Sequence, residues 1–170
     1  MSLTGSAQVV GGNLYVCCGY TGSQYSDRMD MYNPKEASWT ELARSPEPKS
    51  SAAVGVYESK IFVAGGYSGS THTSSAFVFD IVTNTWDRVA PMGISRTGAR
   101  GTVVDGLFYV IGGWHLNHKA EEPVGDRKHN KSGNSMYHCS YSMLDVASGQ
   151  WTYAEMPQPR VDAMVMECCQ

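Results

Sequence analysis

The chain repeats itself every 47 residues. Cys18-Gly19-Tyr20, Gly65-Gly66-Tyr67 and Gly112-Gly113-Trp114 stand in phase (65 − 18 = 47 and 112 − 65 = 47). In each unit an Asn or Asp also precedes a Trp by six residues: Asn33 and Trp39, Asp80 and Trp86, Asp145 and Trp151. A period near fifty residues is that of propeller blades, in which each unit buries its apolar faces only by stacking on its neighbours.

The second unit shows how one period is filled. Its apolar segments are short and rich in β-formers: Ala52-Ala53-Val54-Gly55-Val56, Ile61-Phe62-Val63-Ala64, Phe77-Val78-Phe79 and Thr85-Trp86-Asp87-Arg88-Val89. Gly, Asn, Asp, Ser and Pro fill the breaks between them, as turns require. No stretch of ten or more residues carries an apolar period of 3.6, so the expectation is an all-β chain built from four-stranded antiparallel blades. Gly65-Gly66 and Gly112-Gly113 end second strands, where backbones crowd and positive φ is needed. Each Trp lies on a fourth strand and is expected to pack between blades, burying on the order of 150–250 Å².

Composition narrows the functional classes. With 42% hydrophobic and 17% charged residues, a chain of 170 residues can bury a core. A net charge of −3 offers no basic excess for nucleic acid or an anionic membrane. No apolar run approaches the roughly 20 residues that span a bilayer, and the start of the chain lacks a signal-peptide pattern. A soluble, cytoplasmic protein is expected. The five cysteines, Cys17-Cys18, Cys139 and Cys168-Cys169, fit neither a disulfide framework nor a zinc pattern. They read as reduced thiols, and since strand neighbours point to opposite faces, each adjacent pair is badly placed to chelate one metal.

Double Gly, an aromatic, a gap, an acidic or Asn residue and Trp six later resemble the kelch repeat, over essentially the whole chain. The best matching stretches are Val104-Asp105-Gly106-Leu107-Phe108-Tyr109-Val110-Ile111-Gly112-Gly113 and Trp86-Asp87-Arg88-Val89-Ala90-Pro91-Met92. They look like the kelch domain of the animal kelch-like (BTB-kelch) substrate adaptors of cullin ubiquitin ligases. Cys18 departs from the pattern, standing where the first glycine is usual. The resemblance implies a kelch β-propeller of three four-stranded blades plus one extra strand. Blade 1 is expected at about 2–48, blade 2 at about 49–95, blade 3 at about 96–159, and the first strand of a fourth blade at 160–170. Such an arc cannot close a ring. Either the chain is part of a longer protein, or two copies complete a ring together.

Blade 3 carries an insertion. Tyr20 to Tyr32 and Tyr67 to Phe79 are both 12 apart, whereas Trp114 to Leu144 is 30 apart (30 − 12 = 18). The inserted stretch, about 115–138, is polar and of mixed charge, and is expected to be a long surface loop with little to bury. His115, His118, His129 and His138 fall in or beside it, with Cys139 following, but their irregular spacing gives no framework for a metal. Neither a metal nor a cofactor is expected.

In kelch-like adaptors the partner binds one propeller face, formed by the loops between second and third strands and by the links between blades. By resemblance and phase, the candidate partner-binding residues here are Lys49, Arg96 and Arg160 on the links, and Tyr20, Tyr67 and Trp114 on the loops. Three cations and three aromatics around one mouth suit an extended acidic peptide, through forked contacts to carboxylates and rigid apolar surface. Each also has a plainer role, as a solvated cation or an aromatic capping its blade. The expected function is a protein–protein interaction scaffold, the substrate-recognition part of a cullin-type ligase adaptor. The alternatives are an actin-binding kelch protein and, in a different class, a sugar-active propeller enzyme of mutarotase or oxidase type. For the enzyme the sequence supplies no nucleophile elbow, phosphate loop or His/Tyr metal cluster, and Asp27 and Asp30 have no spacing that assigns them acid–base work.

Overall fold

The computed structural model describes residues 5–116, 127–129 and 135–156. All the regular structure in them is β. The first sheet holds β1 (Ser6–Val10), β2 (Asn13–Cys17), β3 (Met29–Asn33) and β4 (Ser38–Glu41), and the second holds β5 (Ala53–Tyr57), β6 (Lys60–Ala64), β7 (Ala76–Asp80) and β8 (Thr85–Val89). The third sheet starts with β9 (Arg100–Val104) and β10 (Leu107–Ile111). After an excursion through β11 (Trp114–Leu116), β12 (Arg127–His129) and β13 (Ser135–His138), it is completed by β14 (Ser140–Asp145) and β15 (Trp151–Glu155). Every pairing is antiparallel, and in each four-stranded sheet the strands follow one another in chain order. These are three kelch blades in a partial propeller. The strand expected at 160–170 lies outside the described residues.

The Asn or Asp six residues before each Trp makes the turn between the third and fourth strands. Asp80 Oδ1 accepts the amides of Val82 at 2.9 Å and Thr83 at 3.2 Å, Asp145 Oδ1 those of Ala147 at 2.9 Å and Ser148 at 3.2 Å, and Asn33 Oδ1 that of Lys35 at 3.0 Å. A short oxygen-bearing side chain does this without disturbing the ladder.

The core lies between blades. Tyr15, Met29, Val54, Ile61, Val63 and Phe79 fill the space between the first and second, and Phe62, Val103, Phe108, Val110 and Leu144 that between the second and third. The Trp residues lock this stacking in register. Trp86 Nε1 donates to the Ala43 carbonyl at 2.8 Å and Trp151 Nε1 to the Ala90 carbonyl at 2.6 Å, each reaching the end of the preceding blade. Trp39 departs from the expected burial at 58% exposed, because no described residue forms a blade in front of the first.

The insertion is more structured than the expected loop. β11, β13 and β12 form a small antiparallel sheet in that order, directly continuing blade 3 past Gly113. His115 and His138, at 6% and 3% exposure, are buried within it.

Candidate partner-binding face

Antiparallel order brings the start of each first strand, the end of the second, the start of the third and the end of the fourth to one edge of the blade. The loops between second and third strands therefore share one face with the links between blades. Hydrogen bonds knit them together: the Gly19 amide donates to the Lys49 carbonyl at 2.6 Å, and one period later the Gly66 amide to the Arg96 carbonyl at 2.7 Å. Ser50 and Tyr67 exchange two bonds of 2.9 Å, and Thr97 and Trp114 repeat the exchange at 2.9 and 2.8 Å. Glycine is required at this crossing. Gly66 has φ +104°, and a Cβ there would stand 2.7 Å from the Ser50 carbonyl oxygen.

Tyr20, Tyr67 and Trp114 lie on this face, and the structure brings them together through two rings that the sequence reading missed. Tyr25 packs on Tyr20 with ring centroids 4.9 Å apart and meets Tyr67 edge-on at 5.5 Å. His72 packs on Tyr67 at 4.9 Å and meets Trp114 at 4.8 Å. The result is one row, Tyr20–Tyr25–Tyr67–His72–Trp114, running across all three blades, every member half-buried. The available signal was phase, since Tyr25 and His72 are also one period apart (72 − 25 = 47).

The row is held rigidly. The Tyr20 hydroxyl donates to the Gly22 carbonyl at 2.7 Å and the Tyr67 hydroxyl to the Gly69 carbonyl at 3.0 Å, so each tyrosine caps its own loop. His72 Nδ1 lies 2.7 Å from Thr97 Oγ1 on the next link. Loss of hydration, then the neighbouring Tyr67 and Tyr20, raises the Tyr25 phenol above its usual pKa.

Lys49 and Arg96 do not ring this mouth. Lys49 and Arg96 are both 0% exposed, against the expectation of a basic rim. Lys49 Nζ donates to Ser75 Oγ at 2.8 Å, lies 3.3 Å from Glu47 and sits 4.7 Å from the centre of the Phe77 ring. Burial pulls its pKa down, opposed by the charge of Glu47. Arg96 donates to the Gly112 and Ser140 carbonyls at 2.8 and 3.1 Å, to Ser140 Oγ at 2.6 Å and to Ser142 Oγ at 3.3 Å. The strands that meet here present backbone carbonyls and hydroxyls to one buried point, and a long cationic side chain turned inward donates to several at once. Arg160 lies outside the described residues.

Charge at the exposed edge of blade 1 is internally matched. Arg28 pairs with Asp30 at 2.7 Å and Glu41 at 3.3 Å, while Arg44 pairs with Asp27 at 2.9 Å and Glu41 at 2.8 Å. Asp27 and Asp30 are thus ion-pair partners on the surface. Of the four histidines, His115 and His138 are brought together: their rings stack at 4.9 Å, with His115 Nδ1 3.1 Å from His138 Nε2, which also lies 3.0 Å from the Ser95 carbonyl oxygen. His118 lies outside the described residues.

Stacked four-stranded blades, registered by indole-to-carbonyl bonds and presenting a row of rings on the loop face, define a kelch-repeat interaction domain. The sequence matches the KLHDC2/KLHL20/DRC7 Kelch-repeats domain over residues 3–113, and the chain belongs to this kelch family. No curated protein matches it.

Proposed function

We propose that the loop face binds a peptide segment of a protein partner along the aromatic row, and that the domain serves in the cytoplasm as the substrate-recognition part of a cullin-type ubiquitin ligase adaptor. The observation that carries the binding role is the unbroken contact of five rings across three blades. Rigid rings lose little side-chain freedom on binding, which is why such surfaces anchor partners. With Lys49 and Arg96 buried, the reading no longer requires an acidic partner; apolar and planar groups of a peptide are the better complement. The adaptor role is supported by the resemblance to the kelch-like proteins.

The test is affinity capture with the wild-type domain and with Y25A/W114A. Loss of the captured protein in the variant supports the face, and equal capture overturns it. The captured protein is then followed in cells treated with an inhibitor of cullin activation. A rise in its level supports the adaptor role, and an unchanged level overturns that role while leaving the binding role standing.

The outer face of blade 1 is proposed as a second contact, covered by another copy of the chain. Val9 and Trp39 are 68% and 58% exposed there, whereas the corresponding Val56, Trp86 and Trp151 are half-buried against the blade before. Light scattering of the 170-residue chain decides it: a dimer supports the stack, and a monomer overturns it.

A further inference from the structure

The two interfaces between blades follow one plan at two sizes. At the first, Met31, Phe79 and Ile81 pack between blades 1 and 2, and Asn84 Oδ1 closes the flank by accepting the Ala43 amide at 2.9 Å. The residues in phase at the second are Val78, Leu144, Val146 and Gly149 (78 − 31 = 47, while 144 − 79, 146 − 81 and 149 − 84 are each 65, one period and the 18 inserted residues). Every one of the four is smaller than its counterpart. The flank between blades 2 and 3 opens into a cavity of about 390 Å³, a size ordinary for small-molecule sites. None of the five rings of the aromatic row lines it.

The lining has two halves. Phe62, Val78 and Leu144 make an apolar floor, with Val89 and Val146 beside them. Gly149 also lines the cavity, and a Cβ built on it would meet nothing within 4 Å, so there is room for what the Asn84 side chain supplies one blade earlier. Ala90, in phase with Ala43 (90 − 43 = 47), stands in the lining too, and its amide has no acceptor among the described residues. The charged members are Lys60, Arg88 and Glu58, two cations to one anion. Lys60 makes no ion pair among the described residues, and the Arg88 side chain, 67% exposed, pairs with Glu47 at 3.7 Å.

We propose that this cavity is a binding site for a small carboxylic acid with an apolar body. The body lies on Phe62, Val78 and Leu144. A carboxylate oxygen accepts the Ala90 amide, doing for this interface what Asn84 Oδ1 does for the one before, and Lys60 and Arg88 balance its charge. A purely apolar ligand covers that amide without giving it an acceptor, which is costly. An inorganic anion leaves the floor uncovered and gains nothing from it. The acid matches both halves of the lining. Glu58 weighs against any anion, so its removal tightens binding.

The test is titration of the isotope-labelled 170-residue chain with octanoate and, separately, with octanol, followed in its amide NMR spectrum. Octanoate is expected to shift the Ala90 and Gly149 amides saturably, and to bind about tenfold more tightly than octanol. K60A should weaken octanoate and E58Q tighten it, with octanol unchanged in both. G149N is expected to stay folded, since Asn84 already holds φ +54° where Gly149 holds +72°, and to lose octanoate binding. L144F should lose it as well, by filling the floor. Equal affinity for octanoate and octanol overturns the proposal, as do shifts confined to other amides. So does octanoate binding by G149N and L144F as tight as that of wild type.

Discussion

Lys49 reaches across its own blade to donate to Ser75 at 2.8 Å, and one blade later Arg96 makes the same crossing to Ser140 at 2.6 Å. Both hold the start of a first strand to the start of a third, beneath the turn at the end of the second.

Removing either cation is therefore a stability experiment. R96A removes four hydrogen bonds, to the Gly112 and Ser140 carbonyls and to the Ser140 and Ser142 hydroxyls, though the Ser140 carbonyl keeps the Gly112 amide at 3.0 Å, so a loss of about 3 kcal/mol is expected after relaxation. R96K should recover part of it, lacking the fork. Urea unfolding followed by tryptophan fluorescence measures this. An unchanged midpoint for R96A would return Arg96 to the exposed rim and refute the crossing.

Trp39 and Trp86 hold the same place in successive blades yet should respond differently. W86A removes the bond to the Ala43 carbonyl and the packing on Phe79 at 5.1 Å, an expected loss of about 3–5 kcal/mol. W39A, at 58% exposure, should cost much less in the monomer. Thermal unfolding of the two variants side by side gives the comparison, and equal losses would contradict the stacking order.

Stability should fall in acid. Burial raises the Glu47 pKa, but the Ser75 hydrogen bond and the charges of Lys49 and Arg88 outweigh it, leaving the carboxyl below its usual value. Bonds from the Ser148 and Ala147 amides hold Asp145 down as well. A depressed carboxylate stabilises the fold above its unfolded pKa, and that contribution is lost as pH falls through the folded value, so the loss is expected below about pH 4. Urea midpoints measured from neutral pH downward should show it, with a shallower slope in E47Q. An identical slope in E47Q would remove Glu47 from the account.

The glycine positions give a paired test. G65A should lose several kcal/mol, since its φ is +71° and its Cβ meets the Arg96 carbonyl, whereas C18G should be neutral or stabilising by about 1 kcal/mol through relief of a strained φ. Chemical unfolding of both, under reducing conditions, decides it. Destabilisation by C18G equal to that by G65A would mean that the Cys18 side chain is needed for packing.

The periodic features were legible in sequence because stacking demands the same residue at the same place in each blade. The strands around Phe62, Phe79 and Trp86, and the Asp80 and Asp145 turns, follow from that demand alone. The two buried cations were not legible in the same way. A basic residue at a loop start usually lies in water, and the hydroxyls that draw Lys49 and Arg96 inward are 26 and 44 residues away along the chain. Ser75 and Ser140 are in phase only once the insertion is discounted (140 − 75 = 65, and 65 − 18 = 47), which hides the pattern from a fixed-period reading. Tyr25 and His72 were hidden differently: they stand one period apart, but nothing in a polar loop shows that they bridge Tyr20, Tyr67 and Trp114 until the blades are stacked.

The extra 18 residues of blade 3 enter after Trp114, and the contacts on either side of them survive unchanged: Trp114 still pairs with Thr97, and Trp151 still finds the Ala90 carbonyl. The residues that fasten one unit to the next and the residues that can vary in number are thus separate sets. Such a chain is free to diversify at its loop face by lengthening, with no rearrangement of the joints, much as a hinge pin is indifferent to the size of the door.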